Sequence, residues 1–227
     1  NLKILNLSYN QITEIQNLPK TLQELYLYNN KITEIKNLPP NLQKIDLSYN
    51  KITDINNLPT TLLKLYLNGN LITEIKNLSP NLQILHLNNN KITKIKNLSS
   101  NLQELCICYN NITNIENLPL NLQNIDLYYN KITKIKYIPP NIEKLDISSN
   151  NIQQLPFELS LLNRLEQFYY YNNPIEYIHP ATQRWLTTHF ERNSENIKVY
   201  GDNQNIHNSN IQKSFRKSVI NIMKDKI

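Results

Sequence analysis

The chain has 227 residues and a formal net charge of +6, with 14 Tyr but only two Gly and two Cys. Size alone would allow one or two ordinary domains. No apolar run approaches the roughly 18 to 20 residues of a bilayer span, and no charged, apolar and small-residue leader opens the chain, so nothing marks membrane or secretion.

From its first residues the chain repeats. Leu or Ile stands at Leu2, Leu22, Leu42, Leu62, Leu82, Leu102, Leu122 and Ile142, each followed three and five positions later by another aliphatic. An Asn closes each unit, at Asn10, Asn30, Asn50, Asn70, Asn90, Asn110, Asn130 and Asn150, and further aliphatics follow it, as in Ile52, Ile55 and Leu58. A ninth unit is offset by 23 residues, with Leu165, Phe168, Tyr170 and Asn173 in the matching places. Alternation such as Leu5 and Leu7 against Asn6 and Ser8 predicts a short strand with one face inward. One such strand cannot bury that face alone, so the units are expected to stack into a parallel sheet.

Each closing Asn is then a buried amide that can satisfy backbone groups at the turn, and stacking repeats it as a ladder. Asn50→Ala is expected to cost about 1–3 kcal/mol. Between each Asn and the next strand only a short arm remains, interrupted by Pro19, Pro39, Pro59 and Pro119. No α-helix fits there, and the outer wall is expected to be extended or 3₁₀-like, with Thr13 to Thr133 as a polar row.

The skeleton L-x-x-L-x-L-x-x-N-x-I-x-x-I resembles the leucine-rich repeat family over residues 1 to about 178. The short unit with "NLP" on its return arm is similar to the compact repeats of bacterial effector proteins and of proteins from AT-rich genomes such as those of giant viruses and amoebae. The resemblance implies an α/β fold: a curved leucine-rich repeat solenoid with a parallel sheet on its concave face. Residue 1 is Asn and the repeat is already running at Leu2, so the chain is expected to be a fragment or a processed form. Sequons at Asn6, Asn77, Asn97 and Asn111 are what an Asn-rich repeat produces by chance.

The side chains between and beside the aliphatic pair should line the concave surface. One row runs Asn6, Tyr26, Asp46, Tyr66, His86, Cys106, Asp126, Asp146 and Tyr169. The next runs Ser8, Tyr28, Ser48, Asn68, Asn88, Cys108, Tyr128, Ser148 and Tyr171, with Tyr9, Tyr49, Gly69, Tyr109 and Tyr129 beside it. Ten of the fourteen tyrosines fall on this face or its edge, and Tyr supplies large contact area with little rotamer entropy to lose. The competing reading is compositional, since AT-rich coding inflates Tyr together with Asn, Lys and Ile.

Cys106 and Cys108 share one strand and one face, too far apart for an easy disulfide, which favours a reducing, cytoplasmic setting. His86, Cys106, Cys108 and Asp126 include zinc-ligand types, and a Cys, a His and an acid in adjacent strands could also suggest a thiol nucleophile. Against both, no Cys and His spacing repeats and an open sheet offers no oxyanion pocket, so no metal, cofactor or catalytic residue is assigned. Similar effectors often carry a separate ligase domain with a Cys-x-Asp motif. Here Cys108 stands in place of the acid, and no ligase activity carries over.

Charge is unevenly placed. The strand segments of residues 1–150 hold four lysines against six acids, and the return arms eleven lysines against five. Lys91, Lys94, Lys96, Lys131, Lys134 and Lys136 form the densest part of a basic outer wall, which could touch phosphates but more often keeps a solenoid soluble.

At the far end Pro180 can open a helix that places Trp185, Leu186 and Phe190 near one face, and residues 179–191 are read as a helical cap. Residues 192–210 lose the repeat and read as a linker. Beyond them Ile211, Phe215, Val219, Ile222 and Met223 predict an amphipathic basic helix that packs on the solenoid or on a further domain.

The expected function is a non-enzymatic module that binds a protein partner, with Tyr26, Tyr66, Tyr128, Tyr169 and Tyr171 as anchors and Asp46, Asp126 and Asp146 setting charge complementarity. Tyr28, His86, Cys106 and Cys108 complete that surface, and no small-molecule substrate is implied. An adaptor recruiting through the tail, for instance for a ubiquitin ligase, is the leading alternative. Nucleic-acid or anionic-surface binding by the outer lysines is the third.

Overall fold

The computed structural model describes residues 1–191 and 198–200, the side chains only as far as residue 188. The expected tail helix and the side chain of Phe190 lie outside the described residues.

Ten strands of three residues each form one parallel sheet in chain order. They are Ile4–Asn6, Glu24–Tyr26, Lys44–Asp46, Lys64–Tyr66, Ile84–His86, Glu104–Cys106, Asn124–Asp126, Lys144–Asp146, Gln167–Tyr169 and Lys198–Tyr200. Identical positions face each other in successive coils: Leu25 pairs with Ile45, Leu65 with Leu85 and Leu105 with Ile125. The register changes only where the repeat length does, at Leu145 with Phe168 and at Phe168 with Val199.

Strand polarity follows from the alternation. The middle residue points inward, and Leu25, Ile45, Leu65, Leu85, Leu105 and Leu145 are fully buried. Behind them, Ile32, Ile52, Ile72, Ile92, Ile112 and Ile132 on the return arms are equally buried and face the strands across one continuous core. Each such side chain contributes about 1.5–3 kcal/mol by leaving water.

The closing asparagines bind the coils to one another. Asn50 Nδ2 donates to the carbonyls of Leu47 (3.0 Å) and Ser48 (3.3 Å) in its own turn and of Leu27 (3.0 Å) in the coil before. Its Oδ1 accepts the Ile32 N–H at 2.9 Å. The same set recurs at Asn70, Asn90, Asn110, Asn130 and Asn150. A second ladder runs along the arms, where Asn41, Asn81, Asn101, Asn121 and Asn141 donate to a carbonyl of the preceding coil. A third asparagine, at Asn17, Asn37, Asn57, Asn77, Asn97 and Asn117, takes the left-handed conformation, with φ between 54° and 57°. Asn tolerates that region better than most non-glycine residues, so the repeated "NLP" encodes a bend.

The outer wall is extended, with exposed threonines at Thr13 to Thr133. Each arm up to the eighth strand ends in a tight turn, as in Leu22 N–H to Pro19 O and Leu62 N–H to Pro59 O, both 3.1 Å. Pro40, Pro80 and Pro140 stand at the second position of such turns, where the ring pre-sets the required φ. One 3₁₀ helix, Phe157–Leu161, appears where the eighth arm is longer.

The helix Pro180–Glu191 forms as the sequence predicts, with Thr182 Oγ1 donating to Pro156 O at 2.6 Å and Trp185 lying 6.4 Å from Phe168, centroid to centroid. It packs against the 3₁₀ helix Phe157–Leu161 of the preceding arm. Lys198–Tyr200, within the stretch read as a linker, pairs with Gln167–Tyr169 and extends the sheet beyond it. The helix is therefore the return arm of the ninth coil: the segment from Asn173 to Lys198 has room for three helical turns, which the shorter arms lack.

Candidate interaction surface

All twelve residues expected on the concave face, Tyr26, Tyr28, Asp46, Tyr66, His86, Cys106, Cys108, Asp126, Tyr128, Asp146, Tyr169 and Tyr171, lie there and are half-buried. Leu105 and Ile107, between and beside the cysteines, are fully buried, so the thiols do point to the hollow. Two members of the second row depart from expectation. Ser48 and Ser148 are buried at 2% and 0% exposure, short side chains at the floor of rows whose neighbours include Tyr28, Tyr128 and Tyr171.

The tyrosines fall into two groups. Tyr28 lies 5.1 Å from both Tyr9 and Tyr49, measured between ring centroids. Tyr109 lies 5.3 Å from Tyr128 and 4.9 Å from Tyr129, and Tyr128 lies 6.3 Å from Tyr171. Such tilted and edge-on pairs contribute about 0.5–1.5 kcal/mol each beyond their burial. Tyr9, Tyr49, Tyr109 and Tyr129 are the more exposed members, and all four have φ between 53° and 58°. The left-handed turn before each closing Asn swings their rings up beside the strand residues. Gly69 holds the same position at φ 61°, and Tyr49 covers it so closely that an added Cβ would meet the ring at 2.8 Å.

The first group of expected anchors is internally engaged. Lys44 Nζ sits 4.9 Å from the Tyr26 ring centroid and 5.8 Å from that of Tyr66. The Tyr26 hydroxyl donates to Glu24 at 2.6 Å, and Tyr66 meets the His86 ring edge-on at 4.8 Å. The hydrogen bond with Tyr26 holds the Lys44 ammonium above its usual pKa, and burial raises the Tyr66 hydroxyl.

The aspartates have a structural task too. One carboxylate oxygen of Asp46, Asp126 and Asp146 accepts the backbone N–H two residues on, at 2.9, 3.0 and 2.9 Å. Burial raises the Asp146 carboxyl above the ordinary carboxylate range. Between the sixth and ninth strands the face deepens into a depression of about 450 Å³ lined by Glu104, Asp126, Glu143 and Glu166, with Lys144 as its single lysine.

His86, Cys106, Cys108 and Asp126 do not converge as one set. His86 and Cys106 come together instead with Glu104, which begins the strand that Cys106 ends. Cys108 points away along the strand, two residues on and about 7 Å further, and its N–H donates to Asn88 Oδ1. Both thiols are pushed up to about 12, first by burial and then by neighbouring carboxylates, so neither is an activated nucleophile.

The outer wall is laced with ion pairs: Lys76 with Asp54 (2.8 Å) and Glu74 (3.2 Å), Lys96 with Glu74 (3.5 Å), Lys36 with Glu14 and Glu34, and Lys136 with Glu116 (3.0 Å). Exposed as they are, each stabilises little. Among the described residues no helix is long and apolar enough to cross a membrane.

The family model for two copies of leucine-rich repeats matches residues 1–40 and 20–60, and that for a single leucine-rich repeat matches residues 141–162. A comparison with curated protein sequences finds no match. Among solved structures the chain is similar to YopM from Yersinia enterocolitica, at 24% identity and TM-score 0.67 over 89% of this chain and 46% of that one. It is also similar to YopM from Yersinia pestis, at 23% identity and TM-score 0.69 over 88% and 59%. The functional domain of InlJ from Listeria monocytogenes matches at 25% identity and TM-score 0.66 over 79% and 44%. The chain thus spans about half the length of these structures. The InlJ domain is described as including a cysteine ladder, whereas here asparagine forms the ladders. Solenoids of this kind serve as protein-interaction modules. With leucine-rich repeats matched over residues 1–60 and 141–162, the same skeleton in the coils between them and a parallel sheet stacked in strict order, the chain folds as a leucine-rich repeat solenoid.

Proposed function

We propose that this chain is a non-enzymatic interaction module whose grip lies in the C-terminal half of the concave face, and that it takes a basic, extended segment of a protein partner. The observation that supports this reading best is the adjacency of Tyr109, Tyr128, Tyr129 and Tyr171 to the acid-lined depression of Glu104, Asp126, Glu143 and Glu166. Tyrosine rings offer apolar area and faces for guanidinium or ammonium groups, each such contact contributing about 0.5–1 kcal/mol at an exposed site. The acids steer a cationic chain toward them and disfavour acidic competitors. Tyr26 and Tyr66, held by Lys44, serve a partner less well than Tyr128, Tyr169 and Tyr171.

The outer-wall lysines support a nucleic-acid reading poorly, because Lys36, Lys76, Lys96 and Lys136 already meet acids. An adaptor acting through the tail rests on residues outside those described.

The test uses three labelled unstructured peptides of equal length, one Arg-rich, one Glu-rich and one neutral, titrated by fluorescence anisotropy. The Arg-rich peptide should bind at least tenfold tighter, and Tyr128→Ala with Tyr171→Ala should remove that preference while circular dichroism stays unchanged. Equal binding of all three, or indifference to the double substitution, refutes the proposal.

A further inference from the structure

We infer that the concave face carries a zinc-binding site built by His86, Glu104 and Cys106. His86 ends the fifth strand, and Glu104 and Cys106 begin and end the sixth, which pairs with it in parallel so that His86 stands opposite Cys106. His86 Nε2 lies 2.7 Å from Glu104 Oε1, Cys106 Sγ lies 3.8 Å from the same oxygen, and the three ligand atoms all fall within 4.8 Å of one another.

Zinc bonds nitrogen at about 2.0 Å, oxygen at about 2.0–2.2 Å and sulfur at about 2.3 Å in tetrahedral geometry. The edges of such a tetrahedron are therefore about 3.3–3.6 Å, and the observed separations bracket them. The ligands need only part slightly around an ion, a movement within reach of half-exposed side chains.

A hydrogen-bonded His–Glu pair would account for two of these residues, and the thiol is what sets the cluster apart. Imidazole, carboxylate and thiolate together suit zinc, whereas magnesium and calcium take oxygen ligands. The imidazole is steadied by the edge-on Tyr66 ring, a supporting contact of the kind that orients metal ligands. Asp126, opposite Cys106 on the next strand, adds negative charge beside the site without belonging to the three-residue cluster. Three protein ligands leave the fourth position open to the hollow, where solvent or a partner's side chain completes the coordination. On binding, a sulfur–zinc bond replaces the Cys106 S–H bond and one proton passes to solvent.

The full chain, kept reduced with a non-chelating phosphine, is titrated with Co²⁺ as a spectroscopic probe and then with Zn²⁺ in competition. One equivalent of Co²⁺ should produce a thiolate-to-cobalt charge-transfer band that Zn²⁺ abolishes. Cys106→Ser should remove the band, His86→Ala and Glu104→Gln should each weaken Zn²⁺ binding at least tenfold, and Cys108→Ser should change neither. An absent band in the wild-type chain overturns the inference. So does a band that survives Cys106→Ser or is lost with Cys108→Ser, or Zn²⁺ affinity indifferent to His86 and Glu104. Circular dichroism of each variant separates loss of the site from loss of the fold, and none of these results bears on peptide binding through Tyr128 and Tyr171.

Discussion

Replacing Asn50 by Ala removes a side chain that is 8% exposed and joins two coils at once. The Ile32 N–H, which donates to Asn50 Oδ1 at 2.9 Å beside a fully buried side chain, is left without that acceptor. The Leu27 and Leu47 carbonyls each lose one of two amide donors and keep the other, from Asn30 and Asn70. An orphaned buried group costs about 1–3 kcal/mol, and the Ile32 amide is the group orphaned here, so the expected loss is about 1–3 kcal/mol. Asn10 provides the internal control. It is exposed and bonds only to the carbonyls of Leu7 and Ser8 in its own turn, so Asn10→Ala should cost less than about 1 kcal/mol. Urea unfolding followed by far-ultraviolet circular dichroism compares the two. Stacked coils can melt in parts, so exchange of the Ile32 amide, expected to quicken only in Asn50→Ala, locates the damage. Equal losses for the two variants, or an unchanged Ile32 amide, would refute the claim that the ladder welds neighbouring coils.

Burial holds the Asp146 carboxyl above its usual pKa, so between the unfolded value of about 3.9 and the raised native value the folded state binds more proton, and stability falls as pH rises through that window. Asp146→Asn keeps the oxygen that accepts the Ser148 N–H and should raise Tm at neutral pH, the gain shrinking as acid protonates the wild type; a lower Tm at neutral pH would contradict this. Gly69→Ala should lose about 1–2 kcal/mol from the left-handed backbone alone and displace the Tyr49 ring, read as a change in near-ultraviolet dichroism; a silent substitution counts against the packing described. Trp185→Ala should cost about 3–5 kcal/mol, concentrated in the last coil, so limited proteolysis should open the segment after residue 156 while the central coils keep their amide protection. Uniform destabilisation along the chain would show instead that the helix supports the whole solenoid.

The period of twenty made the inward rows and the Asn50 ladder legible, because stacking like on like leaves little freedom once the first strand is placed. Other features were hidden for distinct reasons. The left-handed turn at Tyr9, Tyr49, Tyr109 and Tyr129 runs against the preference of tyrosine, and what points to it is Asn29, Gly69 and Asn89 at equivalent places. The part of Glu104 is not legible because nothing in the spacing reports how far a glutamate reaches toward the neighbouring strand, where it meets His86. Lys44 between Tyr26 and Tyr66 is a contact across three coils, visible only once the register is known. The helix Pro180–Glu191 was recognised, but its role as an outer wall depended on the return to Lys198–Tyr200, which lacks the repeat's skeleton.

Because each residue from Ile4 to Asp126 meets its counterpart one coil later in the same register, every joint in that span is interchangeable. The molecule can therefore grow or shrink in whole quanta, a duplicated or deleted unit leaving both flanking seams as they were. A loss of fewer residues than one unit puts the coil that bears it out of register with its two neighbours. Such a scaffold changes its reach in steps, while its surface chemistry drifts freely, one side chain at a time.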